Sequence, residues 1–325
     1  MTVKVSVLFE RDDRKTLKYK ILSGYDRNIL LTNYQEYFDE IYIEESGETL
    51  SLTEGPLYYE FQTLGNVEQI VKVKLKPNLR YADDCFKNCS NLCYVDGTLF
   101  EGTDIEEFGS CFYKTKITEI PENLFSFSPN AVGFNNTFAR CNYLETIPEN
   151  LFKFNTLITS LSGTFQQTVI KTIPENLFKY CTELTSLDGV FASSLITSIP
   201  ENLFKFNTKL TDLFNTFNYC NINTISENLF INNPELKVLR SCFSNCEKLI
   251  SIPVNLFVNN KKITNFMQTF DGCRNLTGTT PKDADGGELW QRAGKEGFSA
   301  SISAGYCFRN CSKLDNYADI PTGWK

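Results

Sequence analysis

One hexapeptide, IPENLF, is written at residues 120–125, 147–152, 173–178 and 199–204, and it returns as ISENLF at 225–230 and IPVNLF at 252–257. The successive offsets are 27, 26, 26, 26 and 27 residues. A substrate pocket needs its residues once. A hexapeptide repeated at a fixed period serves architecture, because one short unit cannot bury its own apolar face and stacked neighbours must supply the wall.

The phenylalanines beat at half that period. From Phe112 to Phe270 they follow at steps of 13, with two steps of 14, so each 26-residue unit is two similar halves. One half reads F-x-x-C-x-x-L-x-x-I-P-E-N-L-F, as in FARCNYLETIPENLF; the other reads F-x-x-N-x-x-L-x-x-L-x-x-x-F, as in FKFNTKLTDLFNTF. Leu184/Leu187 and Ile196/Ile199, three apart and separated by Thr and Ser, suit short extended segments. Proline then ends the segment, and Pro followed by Glu suits the start of a short helical turn. Ser226 replaces proline in the fifth copy and can cap that turn. The expectation is a β-rich repeat solenoid with short helical turns, in which IPENLF forms a corner.

Two columns of residues are expected to stack. Asn123, Asn150, Asn176, Asn202, Asn228 and Asn255 share one register, each amide satisfying backbone groups at its turn. Three residues after the Phe, Cys89, Cys141, Cys220, Cys246, Cys273 and Cys311 form another column, with Thr115, Thr168 and Ser194 filling the same slot elsewhere. In the other half the slot holds Asn155, Cys181, Asn207, Asn233 and Asn260. Small side chains with a hydrogen-bonding group fit a tight inward turn.

At this point the pattern resembles the BspA-type leucine-rich repeats, whose AF-x-x-C-x-x-L-x-x-I-x-I-P units are echoed as CFKNCSNL, FSNCEKLISIP and FRNCSKLDNYADIP. The resemblance covers residues 71–325 and departs from the family in its longer period and its recurrent ENLF corner. Proteins that look like this occur in Bacteroidetes bacteria and in their phages. The resemblance implies a leucine-rich-repeat-like solenoid acting in surface adhesion or protein binding rather than catalysis. Secreted members carry export signals. The start here, MTVKVSVLFERDDRK, lacks the apolar core and cleavage site of one. Together these favour a phage virion component or a cytoplasmic location over classical secretion, with a bacterial surface adhesin of the same fold as the alternative. Partners are then virion neighbours, or a host surface protein or glycan.

Composition narrows the chemistry. The chain has no histidine, which removes Ser-His-Asp and Cys-His catalysis and every His-bearing zinc site. A net charge of −7 argues against a nucleic-acid partner, and no apolar run is long enough for membrane insertion. Twelve cysteines in a long chain of this kind read as free, buried thiols rather than a disulfide framework. The C-x3-C pairs Cys85/Cys89, Cys242/Cys246 and Cys307/Cys311 straddle a repeat Phe and belong to packing, so no metal or cofactor is expected. DADGGE at 283–288 misses the calcium-loop pattern at Gly287. Glu122, Glu149, Glu175, Glu201 and Glu227 are equivalent to one another, as a glycosidase acid pair is not, and read as a surface ladder neutralised in part by Lys153, Lys179 and Lys205. A carboxylate-based glycan-active enzyme would instead need two acids that break the repeat register and face each other across a groove, and the repeats offer none.

Four units follow: residues 1–70, an alternating, strand-like N-terminal cap or attachment domain; 71–281, the solenoid; 282–304, an insertion; and 305–325, a last half-repeat and C-terminal cap. The insertion carries Trp290 and Arg292 around a short helix; both residue types are frequent interface anchors, and the alternative is that Trp290 plugs a locally widened core. Phe127, Phe154, Tyr180 and Phe206 form an aromatic column beside the lysines that can stack sugars or seat a partner, or else pack half-buried between coils. Trp324 stands almost where the next Phe would, as a lid on the last coil.

Overall fold

The computed structural model describes residues 13–21, 28–62, 67–283, 285–299 and 301–325. The strand-like stretch VKVSVLFE lies outside them. Seven strands are present among the described residues: β1 Lys15–Ile21, β2 Asn28–Thr32, β3 Phe38–Ile43, β4 Glu48–Thr49, β5 Leu57–Glu60, β6 Val67–Leu75 and β7 Leu92–Val95. They form an antiparallel five-stranded sheet in the order β4-β3-β6-β1-β7 and a two-stranded sheet of β2 and β5. Alternation in β6 turns Val71, Val73 and Leu75 inward, where they meet Leu17 and Tyr19 of β1 and Ile41 and Ile43 of β3 in the core. The β3–β4 hairpin turns over residues 44–47, with Gly47 at φ 69°, and the ET of SGET is β4 itself. Strand β6 crosses residue 70, so the N-terminal sheet extends to Leu75.

From Tyr81 onward the chain winds into stacked coils. Parallel one-residue bridges join Tyr81, Glu107, Gly133, Ser160, Ser186, Asp212, Val238, Asn265 and Ser303 in sequence. The last step, from Asn265 to Ser303, is the long one and accommodates the insertion. Phenylalanines of the Cys half stack coil on coil, with centroid separations of 5.5 Å for Phe86–Phe112, 5.4 Å for Phe112–Phe138 and 5.8 Å for Phe191–Phe217. The second phenylalanine column, Phe178–Phe204–Phe230–Phe257, stacks the same way at 6.1–6.4 Å.

The expected short helical turns are chained tight turns instead, and no α-helix occurs among the described residues. At the first corner Leu124 donates to the carbonyl of Pro121, Ser126 to Asn123 and Ser128 to Phe125, each bond closing over three residues. In the fifth copy the Ser226 hydroxyl accepts from the Asn228 amide at 3.3 Å, so serine caps the turn that proline starts elsewhere. Around each Phe of the Cys half the backbone twice enters the left-handed region. One such column holds Asn88, Lys114, Arg140, Gln167, Ser193, Tyr219, Asn245, Gly272 and Asn310, with φ between 55° and 76°.

The N-terminal sheet seats directly on the first coil. Strand β7, which belongs to that coil, pairs with β1, and Phe38 meets Phe86 edge to face at 6.1 Å. Asn33 donates its amide nitrogen to the carbonyls of Asp84 and Lys87, each at 2.7 Å, and the Thr32 hydroxyl donates to the carbonyl of Cys85. At the other end the Trp324 carbonyl accepts from the Phe308 amide at 2.8 Å, and its ring stacks on Phe308 at 6.3 Å.

Candidate functional site

Three ladders take up most of the repeated chemistry. The inward one is made by asparagine. Asn155, Asn207, Asn233 and Asn260 are fully buried, and each side-chain nitrogen donates to two carbonyls of the preceding coil. Asn207, for example, reaches Phe178 at 3.0 Å and Cys181 at 2.8 Å. The thiols of Cys141, Cys220, Cys246 and Cys273 each donate at 3.1 Å to the carbonyl of the preceding coil's Phe. Burial pushes these thiols up, Cys141 to about 11 and Cys220 to about 12, which keeps them protonated and unreactive. All twelve cysteines are free.

The ENLF asparagines do something different from satisfying turn backbone. The side chains of Asn150, Asn176, Asn202, Asn228 and Asn255 donate to the carboxylates of Glu122, Glu149, Glu175, Glu201 and Glu227, each in the preceding coil, at 2.5–2.8 Å. Asn123, at the first coil, lies against Gly97, leaving no room there for a Cβ. The lysines turn instead to the aromatic column: Lys153 sits 5.5 Å from the Phe154 ring, Lys179 lies near both Tyr180 and Phe206, and Lys205 is 5.8 Å from Phe206. Phe154 and Phe206 are exposed, whereas Phe127 and Tyr180 are half-buried. The four aromatics share one surface row.

Trp290 and Arg292 are not a surface pair. Arg292 is fully buried, and its Nη2 donates to the carbonyl of Asn260 at 2.8 Å. That carbonyl is the one the next coil's asparagine would take, so the guanidinium ends the inner ladder. Phe298 covers it at 4.6 Å and Phe266 at 5.4 Å, with Asp283 3.7 Å away. Desolvation lowers Arg292 to about 10, partly offset by Asp283. Trp290 is half-buried against Trp324, ring centroids 6.5 Å apart. The anchor role expected of Arg292 is corrected: chain topology puts its charge inside. Within DADGGE, Asp283 and Asp285 face Lys295, and Glu288 pairs with Lys282.

Acids that break the repeat register do occur. Asp188 and Asp212 stand two positions out of step on adjacent coils, as do Asp83 and Glu107. Burial raises Asp188, and Asp212 raises it further; Glu107 is raised by burial and then by Asp83.

The concave feature richest in functional groups lies elsewhere, where the N-terminal sheet meets the first coils. A cleft of about 300 Å³ includes Lys20, Tyr94, Lys116, Glu119 and Tyr143, with Lys18 paired to Glu68 at 3.1 Å on its wall. It shares Lys116 and Tyr143 with a second hollow of about 390 Å³, walled by Asn88, Lys114, Arg140 and Gln167 and facing Ser90 and Asn142. Those four wall residues are consecutive members of the left-handed column. Lys20, Lys114, Lys116 and Arg140 have no ion-pair partner among the described residues. Lys114 and Arg140 lie 5.5 and 5.8 Å from the Tyr113 ring. Sequence reasoning missed this cleft, because it needs β1 laid beside coils that are about a hundred residues later in the chain. The one local signal was a long cation at 114 and 140 where the other coils have Asn, Gln, Ser, Tyr or Gly.

No protein-family model matches the chain, and no curated protein sequence does. Among solved structures the chain is similar to leucine-rich repeat proteins. The APL1 leucine-rich repeat domain is 15% identical with a TM-score of 0.36, over 58% of this chain and 42% of that one. A chain of the LRIM1/APL1C complex is 15% identical with a TM-score of 0.37, over 57% of this chain and 31% of that one. A chain of the Toll–Spätzle complex of Drosophila is 15% identical with a TM-score of 0.35, over 63% of this chain and 32% of that one. The matches thus span less than half the length of each of those chains.

Proposed function

We propose that this chain is a non-enzymatic binding module: a repeat solenoid that holds a recognition surface rigid, with the N-terminal sheet as its cap and its point of attachment to a larger assembly. The observation that carries this reading is the division of chemistry on the stack. Thiols and inner asparagines are spent on coil-to-coil hydrogen bonds, and the ENLF glutamates on neighbouring amides. Lys20, Lys114, Lys116 and Arg140, without ion-pair partners among the described residues, gather with tyrosines and amides in one cleft. The setting that the BspA-type resemblance implies, a phage particle or a cell surface facing a host protein or glycan, fits such a module. Gentle purification of the native assembly followed by mass spectrometry tests it. Recovery in fixed stoichiometry with other structural proteins is the expected result, and a free monomer in the source particle fraction would overturn the assembly reading.

One observation favours a second reading. Asp188 and Asp212 are carboxylates out of register on adjacent coils, and burial, with Asp212 beside it, raises Asp188 in the direction a glycan-cleaving acid needs. Such an activity would vanish in Asp188→Asn, and a polysaccharide panel that no preparation cleaves would eliminate it.

A further inference from the structure

The left-handed column separates what the turn needs from what the cleft adds. An L-residue at positive φ is strained, least so in Gly and Asn. Four coils follow that rule with Asn88, Asn245, Gly272 and Asn310. The five coils between depart from it, and three of their residues, Lys114 (φ 59°), Arg140 (φ 61°) and Gln167 (φ 55°), line the same hollow, whereas Ser193 and Tyr219 lie outside it. Long polar side chains held at strained backbone positions, and clustered in one concavity, point to a use for their end groups. Among the described residues those end groups are two cations without carboxylate partners, joined by Lys20 and Lys116 from the adjoining cleft, against one unpaired lining acid, Glu119. In a chain of net charge −7 this is a local reversal of sign.

We propose that this cleft binds an acidic carbohydrate chain, one bearing carboxylates or sulfates. Anion recognition falls to Lys114, Lys116 and Arg140. Tyr94 and Tyr143, the latter 54% exposed, offer ring faces to sugar rings. The amides of Asn88, Asn142 and Gln167 match hydroxyl groups, which can both donate and accept. Successive rungs here are 5.4–5.5 Å apart at the stacked phenylalanines, comparable with the length of one pyranose, so Lys114 and Arg140 can meet anions on neighbouring sugars. A nucleic acid would meet the net negative charge over the rest of its length.

The inference rests on the binding reading above and is tested apart from it. The full chain is titrated calorimetrically with a heparin hexasaccharide, with an oligogalacturonate hexamer that carries carboxylates alone, and with a neutral maltohexaose. Binding of at least one acidic probe and not of the neutral one is expected, weakening as salt is raised. Lys114→Asn and Arg140→Asn should each weaken it by about tenfold, the loss of one charged hydrogen bond. Both should melt at or above the wild-type temperature, because asparagine relieves the backbone. Lys209→Ala, outside the cleft, should bind as wild type does. Sulfate and carboxylate sources are separated by which acidic probe binds more tightly. Failure of both acidic probes, or unchanged affinity in Lys114→Asn and Arg140→Asn, overturns the proposal. Neither result bears on the particle-composition experiment.

Discussion

Replacing Asn207 tests how the stack is held together. Its side-chain nitrogen makes two buried hydrogen bonds, to Phe178 and Cys181, while its own Oδ1 is buried without a donor. Asn207→Ala removes both bonds at about 1 kcal/mol each. It leaves a small void worth about 1 kcal/mol, and the vanished orphan oxygen returns about 1 kcal/mol. The net loss is about 2 kcal/mol. With an m-value near 3 kcal/mol/M, this moves the urea midpoint down by about 0.7 M. Asn207→Asp is worse at neutral pH, because it sets a negative charge against two carbonyl oxygens, a cost of about 4 kcal/mol. That acid's folded pKa must lie above its unfolded value of about 3.9. The excess cost is therefore absent below the unfolded pKa and grows as pH rises towards the folded one. Urea unfolding followed by far-ultraviolet circular dichroism, at pH 3 and pH 7 and each against wild type, reads both effects. If alanine leaves the midpoint unmoved, or aspartate is no worse than alanine at pH 7, the inner ladder is not what binds coil to coil.

Three further outcomes are expected. Burial raises Cys93 as it does Cys85 and Cys141, but Cys93 is the only partly exposed thiol, so an aromatic disulfide reagent should modify it ahead of the eleven buried thiols in the native protein and Cys93→Ser should abolish that phase; a second thiol reacting as fast would contradict the burial. Asp188 is raised by burial and by Asp212, so its ionised form opposes folding: Asp188→Asn should raise the melting temperature at pH 7 and have no effect below the unfolded pKa of about 3.9. Trp324→Ala removes the ring from Phe308, Phe266 and Trp290 and should cost about 2–3 kcal/mol, with the remaining emission of Trp290 shifted to the red.

Period was the legible part. A hexapeptide returning every 26 or 27 residues and Phe every 13 are enough to imply stacked coils and buried rings, and Trp324 falls where the last ring needs a lid. What period cannot show is direction. The ENLF asparagines and those of the F-x-x-N slot recur equally often, yet only the second set points inward to backbone carbonyls, while the first reaches sideways to Glu. Arg292 misleads for a related reason: a guanidinium usually signals a surface, but the insertion carries it into the slot of a missing asparagine. The left-handed column leaves a trace in Asn88, Asn245 and Asn310, hidden at 114 and 140 by the cations that replace asparagine there.

At the phenylalanine turns of the Cys half the backbone hydrogen bonds between coils all run forward, while the thiol and asparagine side chains donate back to the preceding coil. Ser110, Phe112 and Lys114 donate to Asn135, Thr137 and Ala139 of the following coil, and the same holds along the stack. The first coil's outer carbonyls are met by the donors of Asn33 and Thr32, and the last coil's Phe308 amide by the carbonyl of Trp324. A stack stripped of both ends would therefore show bare acceptors at one end and bare donors at the other, in matching register. Such ends join head to tail, and the translation relating one coil to the next never closes on itself. The N-terminal sheet and the Trp324 segment are thus chain terminators in the polymer chemist's sense, and without them each molecule would be the next monomer of a fibre.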